Sequence, residues 1–282
     1  KSVKNNINVA LSGDGGDEIF YGYNRYIFLK QYYNRLKSMS NISKRILWKI
    51  LNIFSENKIN RTSKILNINH FNLGNKISKI SNSLSFNNLE EFYFQIIRQD
   101  YSFNNIVNFK ENSKANFLNN IKFSENLGNL ENFQSADLLY YLPDDIFVKV
   151  DRASMYNSVE SRAPFLDNRV IDFANELQID EKIKTNNAKY FLKQFMLRYF
   201  SNEDFNRPKM GFGNPIGKFL NKELNQWANE LIYRENENVE KYINLNLVKK
   251  IWNIHQTNKK DYSNIIWNFI MFKNWLNENK IN

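Results

Sequence analysis

Apolar residues form one short dense run near the amino terminus and then a long series of stripes at helical spacing. Ile7, Val9, Ala10 and Leu11 stop at Ser12-Gly13, which predicts a buried strand ending in a glycine-rich turn. From Glu18 onward Ile19, Phe20, Tyr23, Tyr26 and Ile27 recur every three or four positions. A second amphipathic helix is predicted from Ile42 to Phe54, with Ile46, Leu47, Ile50, Leu51 and Phe54 on one face. The stretch 57–88 is rich in Asn and Ser and reads as a long loop or subdomain joint. Helices are predicted again at 89–99, 115–123 and 136–142, where Pro143 interrupts and a new helix starts at Asp144. Further helices are predicted at 168–177, 188–200, 216–232, 245–256 and 263–276.

A parallel strand without a partner would leave its backbone donors and acceptors unpaired in a core. The remaining strands are therefore expected to precede Lys1, a first residue that is itself not Met. The expected fold class is α/β, the chain being the mostly helical, carboxyl-terminal part of a domain whose parallel sheet lies largely outside it.

Composition narrows the classes of function. The 282 residues include 23 Phe, 15 Tyr and 5 Trp, too much apolar surface for a disordered chain, and only 9 Gly and 4 Pro, too few for an all-β fold. Cys is absent and His occurs twice, which excludes disulfides, a cysteine nucleophile and a Cys/His zinc site and fits a cytoplasmic protein. The net charge of +10 is spread along the chain without a dense basic run, which argues against a nucleic-acid partner. No run of apolar residues is long enough to span a membrane.

Three segments carry candidate chemistry. Ser12-Gly13-Asp14-Gly15-Gly16-Asp17-Glu18 joins the strand to a helix, where Ser12, Gly13 and Gly15 could approach phosphate. Asp14 and Asp17 would suit a Mg2+ ion bridging to polyphosphate, or they could simply satisfy a helix dipole. The segment matches neither the dinucleotide fingerprint nor the P-loop. The second segment is LPDDIFVKVDRASM followed by VESRAPFLD, whose Lys149, Arg152, Glu160 and Arg162 read as paired ions on a buried helix and the loop after it. The third is RPKMGFGNP, a Pro/Gly-stiffened loop presenting Lys209, either to a pyrophosphate leaving group or to solvent.

VALSGDGGDE with GYNRY, LPDDIFVKVDRASM with VESRAPFLD, AKYFLK and RPKMGFGNPI, in that order, resemble the synthetase domain of glutamine-hydrolysing asparagine synthetases. Residues 1–282 would be the carboxyl-terminal portion of that domain, of the adenine nucleotide α-hydrolase-like ATP-pyrophosphatase type. The SGGxDS pyrophosphatase loop and the glutaminase domain are absent from this sequence and expected upstream, so the fragment alone should be inactive. The resemblance implies ATP and Mg2+ as cofactors. It implies aspartate, ATP and ammonia from glutamine as substrates, the upstream glutaminase domain as partner, and leaves room for a homodimer. It also implies Asp14, Lys209 and Asp145 as catalytic residues, Asp17 at the metal and Lys189 near the α-phosphate. Asp14 stands where some members have Glu, one methylene longer. A related amidotransferase acting on another carboxylate, such as a polysaccharide sugar, or a helical interaction domain are the alternatives.

Overall fold

The computed structural model describes residues 7–53, 81, 84, 86–98, 106–108, 120–185, 187–201, 215–234, 237–257 and 261–279. They form a mostly helical α/β protein in two compact units, Lys1–Ser38 with Ile121–Lys209, and Met39–Asn120 with Met210–Asn282. No helix among the described residues is long and apolar enough to cross a membrane.

In the first unit, β1 (Val9–Leu11) runs parallel to β2 (Glu160–Arg162) in a two-stranded sheet with Ala10 opposite Ser161. The expectation that β1 lacks a partner within the chain is therefore corrected. β2 escaped notice because Glu-Ser-Arg has no apolar alternation, and its pairing rests on backbone bonds alone. β1 is also less covered than predicted: Val9 is exposed and Leu11 is 75% exposed. Parallel strands ordinarily carry helices on both faces, and here the apolar face that the sequence prepared is open.

After β1 the chain forms a single helical turn, α1 (Gly16–Ile19), breaks, and resumes as α2 (Asn24–Ser38). The one helix predicted from Glu18 is thus two, divided where Tyr21 takes φ 52°. α5 (Asn129–Ala136) passes without interruption through a π-helix (Asp137–Phe147) into α6 (Val148–Met155). Between α2 and α5 in sequence, α3 (Asn41–Ile53) and α4 (Leu89–Ile97) belong to the second unit. Pro143 does not end the helix as expected, because it sits inside the wide turn, where an i→i+5 pattern relieves the clash of its ring with the preceding carbonyls. α6 buries none of its residues, so Lys149 and Arg152 are solvated rather than paired in a core. Glu160 and Arg162 do pair, at 2.7 Å, with both side chains in solvent.

A 3-10 turn (Pro164–Leu166) leads to α7 (Asn168–Glu176), whose N-cap Asp167 accepts from the Arg169 N–H. Beyond it lie α8 (Ile179–Lys182) and α9 (Tyr190–Met196), the last shorter than the predicted 188–200. Ile19, Phe20 and Ala174 are buried together against Phe165, Leu166, Val170 and Phe191, which ties α1, the 3-10 turn, α7 and α9 into one core.

The second unit is helical. α10 (Ile216–Asn221), α11 (Asn225–Tyr233), α12 (Glu237–Glu240), α13 (Leu245–Gln256) and α14 (Ser263–Glu278) surround Leu220, Ile232, Val248, Trp252, Ile266 and Ile270. Here the period was legible: Leu245, Val248, Ile251, Trp252 and His255 are the buried stripe of α13. The helix predicted over 216–232 is broken between α10 and α11, where the Leu224 N–H bonds back to Phe219 O at 2.8 Å. Within α3, Leu47 and Leu51 are half-buried while Ile46 and Ile50 are exposed. Of the predicted 115–123 helix, 121–123 is non-helical and 115–119 lies outside the described residues.

Candidate functional site at the end of the first strand

Ser12 leaves β1 still in register, its N–H donating to Arg162 O at 2.8 Å. Its Oγ is buried and has no hydrogen-bond partner among the described residues, an uncommon state for a hydroxyl. Gly13 is exposed, and its carbonyl accepts from Gly16 N at 3.3 Å, closing the turn that carries Asp14, which is half-buried. Gly15 adopts φ 85°, and a Cβ there would lie 2.5 Å from Leu166 Cδ2. Only glycine meets both demands. Because α1 is one turn long, anion binding at this end would rest on backbone N–H groups and side chains rather than on a macrodipole.

The structure brings Asp17 and Lys189 together. Lys189 Nζ lies 3.1 Å from Asp17 Oδ1, each side chain 30% exposed. A Cβ on Gly22 would fall within the space of Asp17 Oδ1 and Lys189 Cε, so Gly22 is the floor under the pair. Its N–H donates to Asp17 O at 2.7 Å. Two non-glycine residues here are left-handed, Lys189 of the pair itself (φ 53°) and Tyr21 (φ 52°). Each such residue costs about 1–2 kcal/mol, and strain of this kind collects where a side chain must be aimed.

Glu18 points the other way, into the protein, where Tyr23 Oη donates to its Oε1 at 2.6 Å. Burial pushes the Glu18 carboxyl above the usual range, against the Tyr23 bond that pulls it down. Gln134 Nε2 donates to the carbonyls of Glu18 (3.1 Å) and Ile19 (3.0 Å), which caps the carboxyl end of α1 from α5.

Beside this lies an ionic cluster that sequence reasoning missed. Arg25 pairs with Asp137: its Nε donates to Oδ2 at 2.9 Å, and Nη2 stands 2.8 Å from Oδ1 as an ion-pair contact that lacks hydrogen-bond geometry. The Asp137 side chain is 0% exposed and that of Arg25 12%. Tyr26 Oη also donates to Asp137. The guanidinium stands 3.9 Å from the Tyr23 ring centroid and 4.5 Å from that of Tyr141. One signal was available: Asp137 is an acid flanked by Ala136, Leu138 and Leu139 in a helical run, a place where charge survives only when paired.

Asp145 is exposed on the π-helix, and its charge helps burial raise the Tyr141 phenol above its usual range. Lys209 and most of its loop lie outside the described residues. Among the described residues no three His, Cys, Asp or Glu side chains group closely enough to enclose a metal ion.

The asparagine synthase family model matches residues 1–277. The chain belongs to the asparagine synthase family. A protein of Bacillus subtilis strain 168 named asparagine synthetase 1, glutamine-hydrolyzing, is 28% identical over 275 residues, covering 98% of this chain and 41% of the relative. Proteins named as glutamine-hydrolyzing asparagine synthetases in Mycobacterium bovis and Mycobacterium tuberculosis H37Rv are 32% identical over 143 residues, 50% of this chain and 22% of theirs. The chain thus spans about two fifths of the length of its Bacillus relative. No solved structure matches it.

Proposed function

We propose that this chain is the carboxyl-terminal part of an ATP-pyrophosphatase-type synthetase domain, and that the longer protein converts aspartate to asparagine. Family membership supports the overall reaction. The observation that carries the site is the pair that Lys189 makes with Asp17 of the loop after β1, with left-handed backbone at Lys189 itself and at Tyr21, and at the loop's start a buried Ser12 hydroxyl without a hydrogen-bond partner among the described residues.

In the first step an oxygen of the aspartate β-carboxylate attacks the α-phosphorus of ATP, the P–O bond to the β-phosphate breaks, and pyrophosphate leaves. Lys189, and Lys209 from its loop, would neutralise the charge that develops on the phosphates. A well-placed donor of this kind is worth about 2.7–4 kcal/mol. In the second step ammonia attacks the acyl carbon, the bond to the AMP oxygen breaks, and Asp14 takes the surplus proton. Asp145, exposed on the π-helix, is a second carboxylate for that site.

Asp17 fits a Mg2+ ion in chemistry, since Mg2+ commonly takes one or two carboxylates and completes its shell with phosphate oxygens and water. The absence of a three-acid cage among the described residues is compatible with that. The ion would supply charge neutralisation on the polyphosphate, and Lys189 would exchange Asp17 for phosphate when both ligands arrive. Ser12, Gly13 and Gly15 would contribute the backbone and hydroxyl lining.

The test is aspartate-dependent exchange of labelled pyrophosphate into ATP by the full-length protein. Lys189→Ala and Lys209→Ala should each lower it by about 10²–10³ while folding is retained, and residues 1–282 alone should give none. Exchange driven by a different carboxylate, or undiminished by both substitutions, would overturn the assignment.

A further inference from the structure

We propose that Arg25 is the positioning residue of this site, holding the acidic loop against the π-helix by pairing its guanidinium fork with Asp137 and laying it over the Tyr23 and Tyr141 rings. The inference deepens the functional reading above and rests on Asp14, Asp17 and Asp145 belonging to one site.

Two elements carry those carboxylates. The loop 12–18 ends in α1, whose last residues are tied to Tyr23 by the Glu18 bond. Asp145 rides on the π-helix, which begins at Asp137 and includes Tyr141. Arg25 touches both. On the loop side its guanidinium covers the Tyr23 ring, and on the π-helix side it covers Tyr141 and clasps Asp137. Tyr23 and Tyr141 meet edge to face, their centroids 5.7 Å apart at 88°, so the cation lies on two rings that already touch. A planar guanidinium that lies over two rings while its Nε donates to a carboxylate fixes direction as well as distance, which an ammonium cannot do.

A π-helix is a wide and readily shifted turn, and Asp145 itself is exposed, so its position depends on how the turn is anchored at its start. Asp137 is that anchor, and its buried charge needs Arg25. Loss of the fork should leave the fold and let the turn slide by an ångström or so, a displacement that costs about a hundredfold in a positioned reaction.

Stability and positioning can be separated. In the full-length protein Arg25→Met strands the Asp137 charge and should lower the melting temperature. The double variant Arg25→Met/Asp137→Leu, made in a Tyr26→Phe background so that no buried hydroxyl loses its acceptor, removes both charges, and apolar replacement of a buried pair commonly restores stability. If Arg25 positions the site, the double variant melts near the parent yet keeps kcat for pyrophosphate exchange at least about tenfold down, with KM for ATP changed by less than about threefold. A double variant with parental kcat would make Arg25 structural only. Arg25→Lys supplies a variant that keeps the charge, and hydrogen exchange at the Ile19 and Gly22 amides should rise at least tenfold in it while α13 and α14 stay unchanged. Unchanged exchange at those amides overturns the proposal even if the parent protein proves inactive toward aspartate, an outcome that would instead sink the functional reading.

Discussion

Replacing Gly15 by alanine adds one methyl group at a position that refuses it twice. The backbone φ of 85° is left-handed, which costs a residue with a Cβ about 1–2 kcal/mol. The new carbon would also stand 2.5 Å from Leu166 Cδ2 and 2.7 Å from Cγ, an overpacking that typically costs about 1–3 kcal/mol. The sum is about 2–5 kcal/mol. Gly13, two residues earlier, is an internal control, with nothing within 4 Å of its would-be Cβ and no positive φ. Alanine there should be neutral or slightly stabilising through the unfolded chain.

The readout must be local, because Trp48, Trp227, Trp252, Trp267 and Trp275 all belong to the second unit and tryptophan fluorescence is blind to the first. Hydrogen exchange at Ile19, whose N–H donates to Gly15 O at 3.0 Å, and at Gly22 reports the loop directly. At tenfold per 1.4 kcal/mol, Gly15→Ala should speed exchange there between about 30-fold and a few thousand-fold. Peptides from α13 and α14 should not change. If Gly15→Ala exchanges at these amides within threefold of Gly13→Ala, the left-handed turn and the Leu166 contact are not what hold the loop.

Gly22→Ala should wedge Asp17 and Lys189 apart with little loss of stability, since an exposed ion pair is worth about 0–1 kcal/mol and both clashing groups are side-chain ends, while ATP-dependent exchange falls; parental exchange would show that the pair has no bearing on the site. Glu18→Gln keeps the acceptor for Tyr23 and removes a carboxyl whose folded value is raised; that rise means the native state holds its proton longer, so stability falls as pH climbs through the carboxylate range, and urea titrations of the variant should show a flatter fall. Ile266→Ala, at a fully buried site of the second unit, should cost about 2–5 kcal/mol by tryptophan-detected unfolding and leave exchange at Ile19 and Gly22 unaltered.

Legibility in the sequence followed the length and regularity of each element. α13 and α14 were readable because a dozen residues repeat one apolar stripe, and their interior positions are the ones the period names. β2 was not, since three polar residues in a parallel pair are held by main-chain bonds that leave no trace in side-chain pattern. Pro143 misled because the rule that proline ends helices assumes an i→i+4 ladder, and the π-helix is a different ladder. Asp17 and Lys189 were each singled out for chemistry, yet their pairing was invisible across 172 residues of sequence (189 − 17). Arg25 stood in plain view within GYNRY, and nothing local says that its partner is Asp137.

The motif VESRAPFLD takes on a different meaning once the loop it serves is in place. Its ions were expected to be buried pairs, but Glu160 and Arg162 pair with each other in solvent, where such a pair contributes little. Its backbone does more, since Ser161 lies opposite Ala10 and Arg162 O receives Ser12 N–H, so β2 sets the height at which the acidic loop leaves the sheet. Its apolar end completes the arrangement. Phe165 meets the Phe20 ring at 6.0 Å and 72°, and Leu166 occupies the space that a side chain on Gly15 would need. Loop and platform are therefore complementary shapes, Gly15 facing Leu166 and Gly16 facing the Phe165 ring. This accounts for two motifs about 150 residues apart in sequence behaving as one structural unit, because the apolar residues of the second pack against the backbone that carries the carboxylates of the first. A swap such as Leu166→Ala should accordingly loosen the loop without touching any charged group, and exchange at Ile19 is where that loosening would be read.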